Sequence, residues 1–200
     1  TSEARVLVDP GNYSSDWHQL TDLAAVLITH QHHDHIDVPN LVPVLEANPT
    51  ARVIAEPAVV DMLGDRAVEK AVVGERAEIG DLGVEVVGGE HEVIHDSIPR
   101  IGNVGYVLQE GDGARIFHPG DSYATAPAAI DVLALPIAAP WANVAMTVDF
   151  ANAVEPGRII PIHDATLSQA GRPTYLRMCR TIIEDSIVLD DPAIGDPYRV

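Results

Sequence analysis

The sequence predicts one α/β domain over residues 1–200, with parallel and antiparallel strands in the same fold. Eight short apolar runs are bounded by turn residues, which is the pattern of buried or half-buried strands. Amphipathic segments lie between several of these runs and predict helices. Apolar residues make up 46% and charged residues 21% of the 200 residues. This composition excludes a disordered chain, a collagen and a coiled coil.

The strands and helices are predicted to alternate along most of the chain. The predicted strands cover residues 6–8, 24–29, 52–55, 84–87, 104–108, 114–117, 132–135 and 158–162. The predicted helices cover residues 39–47, 58–63, 148–154 and 174–185. The last helix should bury a face that carries Leu176, Cys179, Ile182 and Ile183. Turn sequences at 81–83 and 112–113 predict hairpins, so part of the sheet should be antiparallel.

Charge and cysteine content exclude several classes of partner and site. Twelve basic and thirty acidic residues give a net charge of -18, which repels nucleic acid and anionic membrane surfaces. We therefore expect a small-molecule substrate, with no nucleic acid and no membrane as partner. The single cysteine, Cys179, excludes an intramolecular disulfide and favours a reducing, cytoplasmic location. The sequence leaves open whether the chain forms a homo-oligomer.

A histidine-rich segment follows the second predicted strand. His30 and His32 should lie on the same side of an extended chain, because the side-chain period of a strand is two. Asp34 and His35 come from the turn that follows, so they can reach a second point a few ångströms away. One short segment therefore predicts ligands for two neighbouring cations. The alternative is a histidine-rich surface loop.

Further histidines and aspartates follow later predicted strands, where loops carry function on a rigid scaffold. These residues are His91 and His95, His118 and Asp121, and His163 and Asp164. Imidazole and carboxylate ligands suit zinc, manganese or iron. The residues themselves leave open whether His91 or His95 faces the metals. His118 could be a ligand, but a packing or hydrogen-bonding role is favoured for it.

On these motifs the chain resembles the metallo-β-lactamase-fold hydrolases. The matching elements are the Asp9-Pro10-Gly11 turn, residues 29–35, His91, Gly120-Asp121 and His163. The resemblance implies a four-layer αββα sandwich with mixed sheets and the site at one edge between them. It also implies one or two strands before the Asp-Pro-Gly turn that this sequence lacks. Residues 103–106 and 161–164 are most similar to the group that contains L-ascorbate-6-phosphate lactonase.

The resemblance also implies a role for each matching residue. His30, His32 and His91 would bind one divalent metal ion, Asp34, His35 and His163 would bind a second, and Asp121 would bridge both. Asp9 would orient a ligand imidazole from outside the ligand set. Zinc is the leading choice for both ions, with manganese or iron as alternatives.

The predicted function is a metal-dependent hydrolase. A metal-bridging hydroxide would attack a small-molecule lactone, phosphodiester, amide or thioester. Asp34 could orient the hydroxide or carry a proton, and His95, His118 or Asp164 could donate to an oxyanion or leaving group. Two alternatives stand beside it, an iron-dependent redox enzyme of the oxygenase or persulfide type and a non-catalytic metal-binding module.

Overall fold

Two β-sheets lie at the centre of the structure, a computed structural model that describes residues 4–192. Within this range the first sheet has four strands, and every neighbouring pair is parallel. In spatial order these strands are β1 (Arg5–Val8), β2 (Leu23–Ile28), β3 (Arg52–Ala55) and β4 (Val68–Lys70).

The second sheet is mixed and larger. Its seven strands in the described range are β5 (Arg76–Ile79), β6 (Leu82–Glu90), β7 (Gly102–Glu110), β8 (Ile116–His118), β9 (Val132–Pro136), β10 (Arg158–Ile162) and β11 (Val188–Leu189). They lie in the order β11-β10-β9-β8-β7-β6-β5. Pairs from β5 to β8 are antiparallel and pairs from β8 to β11 are parallel. Both predicted hairpins are present, one between β5 and β6 and one between β7 and β8.

Helices cover the outer face of each sheet. They are α1 (Val38–Ala47), α2 (Pro57–Leu63), α3 (Val144–Val154) and α4 (Gly171–Ile182). Along β2, Val26 and Ile28 face the cluster that contains Leu41 of α1, whereas Ala25 and Leu27 face the second sheet. The outer cluster of the second sheet joins residues of β9 and β10 to α3 and α4. These three apolar layers confirm the four-layer αββα sandwich of the metallo-β-lactamase fold.

A tyrosine connects the two sheets through polar contacts. Tyr106 of β7 is fully buried in the layer between the sheets. Its hydroxyl lies 3.0 Å from the carbonyl oxygen of Ile28 and 3.1 Å from that of Ile54. One side chain from the second sheet therefore contacts the carboxyl ends of two strands in the first.

The strands that the sequence did not predict are β4, β5 and β11, and all three are sheet edges. They are two to four residues long and largely exposed or half-buried, so they carry little apolar pattern. The burial predicted for Ile182 is wrong, because α4 ends at that residue and its side chain is 49% exposed. Ile183, the next residue, is buried. No helix among residues 4–192 is long and apolar enough to cross a membrane.

Strand direction brings the predicted site residues to one edge. Two antiparallel pairings separate β6 from β8, so β6 runs in the same direction as β8, β9 and β10. The carboxyl ends of β6, β8 and β10 therefore share one edge of the second sheet. His91, Asp121 and His163 follow these ends, and His30 follows β2 of the first sheet.

Candidate metal centre

Two groups of possible metal ligands meet at this edge. The first contains His30, His32, His91 and Asp121, and the second contains Asp34, His35 and His163; in each group the ligand atoms lie within 4.8 Å of one another. These are the seven residues that the family resemblance implies as ligands. Each group takes residues from the segment after β2 and from loops of the second sheet, so neither is complete without both sheets.

Three imidazoles converge in the first group. His30 Nε2 and His32 Nδ1 are 3.0 Å apart, and His91 Nε2 lies 3.4 Å from Asp121 Oδ2. His91 Nδ1 is 2.7 Å from the carbonyl oxygen of Glu92, to which it donates. That hydrogen bond places the proton on Nδ1 and leaves the Nε2 lone pair directed at the group.

The second group is arranged around the other oxygen of Asp121. Asp121 Oδ1 lies 3.2 Å from His35 Nε2 and 3.3 Å from His163 Nε2. His163 Nε2 is also 3.3 Å from Asp34 Oδ2, and its Nδ1 donates to the carbonyl oxygen of Ala138 at 2.7 Å. His163 has a φ of 60°, in the left-handed region that is unusual outside glycine. Such backbone strain is typical of functional sites.

Asp9 contacts side chains of both groups, directly or through Thr29, from outside them. Its Oδ2 accepts a hydrogen bond from His35 Nδ1 at 2.7 Å and another from the Thr29 hydroxyl at 2.7 Å. The same hydroxyl oxygen lies 3.1 Å from His30 Nδ1. One carboxylate therefore orients His35 directly and His30 through Thr29.

A close backbone approach brings Asp9 to this place. A Cβ on Gly11 would lie 1.7 Å from the backbone oxygen of Asp34, so only glycine fits at this position. The backbone N–H of Asn12 donates to His33, and that of Asp37 donates to Pro10. The Asp-Pro-Gly turn therefore lies directly against the histidine segment.

Charge within the site shifts several pKa values. Burial would lower the pKa of His35, but the carboxylates of Asp9 and Asp121 raise it to about 10. Burial would raise the pKa of Asp34, but hydrogen bonding to His163 and the nearby His35 charge lower it to about 2. The pKa of Asp121 is also lowered, despite its burial, by His35 and His91. Both carboxylates are thus ionised at neutral pH.

The ligand atoms fit divalent cations. Six buried side-chain atoms lack a hydrogen-bond partner among the described residues, and four of them belong to the two groups: His35 Nε2, His91 Nε2, His163 Nε2 and Asp121 Oδ1. Unpartnered buried polar atoms are costly, and here all four point into the two groups. A cation in each group would satisfy them, and the nitrogen and oxygen donors suit zinc, manganese or iron.

The remaining predicted residues lie outside both groups. His95 is exposed, and its Nδ1 accepts a hydrogen bond from the backbone N–H of Ser97 at 3.1 Å. His91, not His95, is therefore the histidine brought to the first group. His118 Nδ1 accepts from the N–H of Gly120 at 3.2 Å, and its Nε2 is 4.0 Å from Asp9 Oδ2. Asp164 pairs with Arg172 at 2.5 Å.

Sequence reasoning missed two further residues that hold Asp121 in place. Trp141 Nε1 donates to Asp121 Oδ2 at 2.8 Å. The Asn103 side chain accepts from the Asp121 N–H at 2.9 Å and donates to the carbonyl oxygen of Pro119. Asn103 lies in the segment 103–106 that resembles the lactonase group, but neither residue type is a typical metal ligand, so neither was predicted to contact the site.

Comparisons with known proteins agree with this geometry. Residues 1–163 match the family described as the β-lactamase superfamily domain. Protein Rv0786c of Mycobacterium tuberculosis is 43% identical over 176 residues, which are 86% of this chain and 82% of that protein.

Two solved structures share the fold at lower identity. A Parabacteroides distasonis protein described as a metal-dependent hydrolase has a TM-score of 0.77 and 21% identity, covering 94% of this chain and 84% of its own. CmlA, a diiron β-hydroxylase from Streptomyces venezuelae, has a TM-score of 0.66 and 15% identity, covering 94% of this chain and 49% of its own. By its match over residues 1–163 and its similarity to Rv0786c, this chain belongs to the β-lactamase superfamily domain family.

Proposed function

We propose that the protein is a dinuclear metal-dependent hydrolase that acts on a small molecule. The observation that carries the proposal is the pair of ligand groups joined by the two oxygens of Asp121. Divalent cations in these groups would supply a coordinated water of lowered pKa and would polarise a carbonyl or phosphoryl oxygen. We propose zinc for both, with manganese as the alternative.

The charge of the site suits this chemistry. Asp34 and Asp121 are the only carboxylates within the two groups of described residues. They would neutralise half of the charge of two divalent cations, so a net positive charge would remain. Such a charge stabilises the oxyanion that forms when a carbonyl or phosphoryl group is attacked.

The protein's own residues would orient the site and move the proton. Asp9 and the carbonyl oxygens of Glu92 and Ala138 hold three imidazoles with their Nε2 atoms directed inwards. Asp34, with a side chain 23% exposed, reaches both His163 and the solvent-facing cavity beside it. We assign it the transfer of a proton between the site and the solvent.

We also propose a class of bond that the protein hydrolyses. The similarity of residues 103–106 and 161–164 to the L-ascorbate-6-phosphate lactonase group favours lactone opening as the first reaction to test. Phosphodiesters, amides and thioesters are the other bonds that the same site could hydrolyse.

An iron-dependent redox enzyme is the second candidate. The observation that favours it is the shared fold with CmlA, a diiron β-hydroxylase. Iron accepts the same imidazole and carboxylate donors as zinc, so metal analysis separates the two candidates.

The test is metal content measured together with hydrolysis. Protein purified without chelators should contain about two zinc or manganese ions per chain and should open a simple lactone. Asp121→Ala should lose both ions and all turnover. His33→Ala is the matched control, because His33 is an exposed histidine of the same segment and belongs to neither group. Iron with oxygen-dependent turnover and no hydrolysis would overturn the proposal in favour of the second candidate.

A further inference from the structure

A cavity beside the first ligand group has an apolar lining. It has a volume of 410 Å³, is formed by the loop between β6 and β7, and shares His32 and His91 with the first group. We call it the loop cavity. Its apolar lining includes Val93, Ile94, Ile98 and Ile101. This volume lies within the range of small-molecule sites, which are mostly apolar with a few polar groups.

The loop cavity offers no unpaired arginine or lysine to an anionic substrate group. Arg100 is the only arginine or lysine among its described lining residues. The Arg100 Nε donates to the backbone oxygen of His91 at 2.5 Å, and its Nη1 pairs with Glu90 at 2.8 Å. A phosphate in the loop cavity would therefore compete with Glu90 for the Arg100 guanidinium.

The cavity on the other side of the site is unfavourable for anions as well. It has a volume of 400 Å³ and is lined by Asp9, Asp34 and Asp164, with no arginine or lysine among its described lining residues. Arg172 lies behind Asp164 and is already paired with it and with Asp191. A phosphorylated lactone would find no unpaired arginine or lysine among the described lining residues of either cavity.

We infer that the substrate is an uncharged ester or lactone whose apolar group occupies the loop cavity, next to the bond that is cleaved. This inference rests on the proposed hydrolase function and narrows its substrate class. In the reaction one water is consumed and the acyl C–O bond breaks. A new C–O bond forms to the water oxygen, one proton goes to the leaving oxygen, and the other is released as the acid ionises.

Exposed apolar residues at this loop support the inference. Val93 and Ile98 are 51% and 50% exposed, although both lie beside the ligand groups. Exposed apolar side chains that line a concave site remove water from an apolar ligand. The favourable free energy of binding grows with every methylene group that is buried.

The experiment compares lactones that differ only in their alkyl chain, with zinc-loaded protein. The value of kcat/KM should rise by about two- to fourfold per carbon, and therefore about 30-fold or more from γ-butyrolactone to γ-nonalactone. A phosphorylated sugar lactone should be the poorest substrate. The chain-length preference is the ratio of kcat/KM for γ-nonalactone to that for γ-butyrolactone. Ile98→Asp should reduce this ratio by about tenfold. Ile182→Asp is the matched control, because it replaces an equally exposed isoleucine at the end of α4 and should keep the preference.

A binding measurement separates failure of this inference from failure of the proposed function. When 1-hexanol is added to the zinc-loaded protein, the methyl NMR signals of Val93, Ile94, Ile98 and Ile101 should shift. Shifts without hydrolysis of any lactone or ester would support an apolar ligand in the loop cavity and would contradict the proposed hydrolase function. Hydrolysis with a kcat/KM that does not depend on chain length, or that is highest for the phosphorylated lactone, would support the hydrolase function and overturn this inference.

Discussion

At the scale of single residues, the site depends on hydrogen bonds that set the proton position on three of its five imidazoles, those of His35, His91 and His163. Asp9 and the carbonyl oxygens behind His91 and His163 all accept from Nδ1. The lone pair of each Nε2 is therefore available for a cation, provided that no proton occupies it.

Metal binding should release protons from His35. Its pKa of about 10 means that the metal-free protein carries an imidazolium there at pH 7.5, since the folded pKa lies above the pH. A cation requires the neutral ring, so zinc binding should release at least about one proton per chain. Calorimetric titrations in buffers of different ionisation enthalpy measure this release. Asp9→Asn removes a charge that raises the pKa and should reduce the release; a buffer-independent enthalpy for the unaltered protein would contradict the prediction.

Trp141→Phe should destabilise the metal-free protein by about 1.5–3 kcal/mol, because the ionised Asp121 carboxylate loses a buried hydrogen bond. Trp17→Phe is the matched control. Trp17 is equally buried, and its Nε1 donates at 3.2 Å to a neutral acceptor, the carbonyl oxygen of Gly11. Trp17→Phe should therefore lower the free energy of unfolding by a smaller amount, about 1 kcal/mol. Urea unfolding measures both, and equal losses would contradict a special role for Trp141.

The seven candidate ligand residues could be predicted because each is a metal-binding type in a recognisable place. His30, His32, Asp34 and His35 share one short motif, and the other three follow strand ends of the second sheet. Trp141, Asn103 and Thr29 could not be predicted, because their role depends on which side chains meet in three dimensions.

At the scale of secondary-structure elements, apolar patterning predicted the buried strands and the edge strand β1, and it missed the other three edge strands of the described residues. The strands β4, β5 and β11 are short, so pairing with a neighbour defines them more than their own sequence does. Ile182 shows the same limit for helices. Its spacing places it on the apolar face of α4, but the helix ends there and the side chain turns to solvent.

The contact of Tyr106 with both sheets predicts an effect at this scale. Tyr106→Phe should lower the free energy of unfolding by about 1–2 kcal/mol, because the carbonyl oxygens of Ile28 and Ile54 lose a buried donor. Chemical denaturation measures the loss. Tyr175→Phe on α4 is a suitable control, since this tyrosine is only partly buried and has no described hydroxyl hydrogen bond. Equal stability of Tyr106→Phe and the unaltered protein would show that the two contacts contribute nothing.

At the scale of the whole molecule, stability should depend on metal. Removal of metal by a chelator should lower the melting temperature by several degrees, because unpartnered buried atoms remain where both sheets meet. Zinc should restore it in a concentration-dependent way. Asp121→Ala should show no zinc dependence, whereas His33→Ala should respond like the unaltered protein. A melting temperature that is unchanged by chelation of a metal-loaded sample would contradict this coupling.

The division of both ligand groups between the two sheets has a consequence for biosynthesis. The segment from His30 to His35 is made early, but His91, Asp121 and His163 follow much later in the sequence. During synthesis on the ribosome, the first group lacks a member until residue 121 has emerged and the second until residue 163 has emerged. Neither group can then form before the second sheet has folded against the first. The nascent chain should therefore complete the two groups only late in folding, so cations bound in both would mark molecules in which the two sheets have come together.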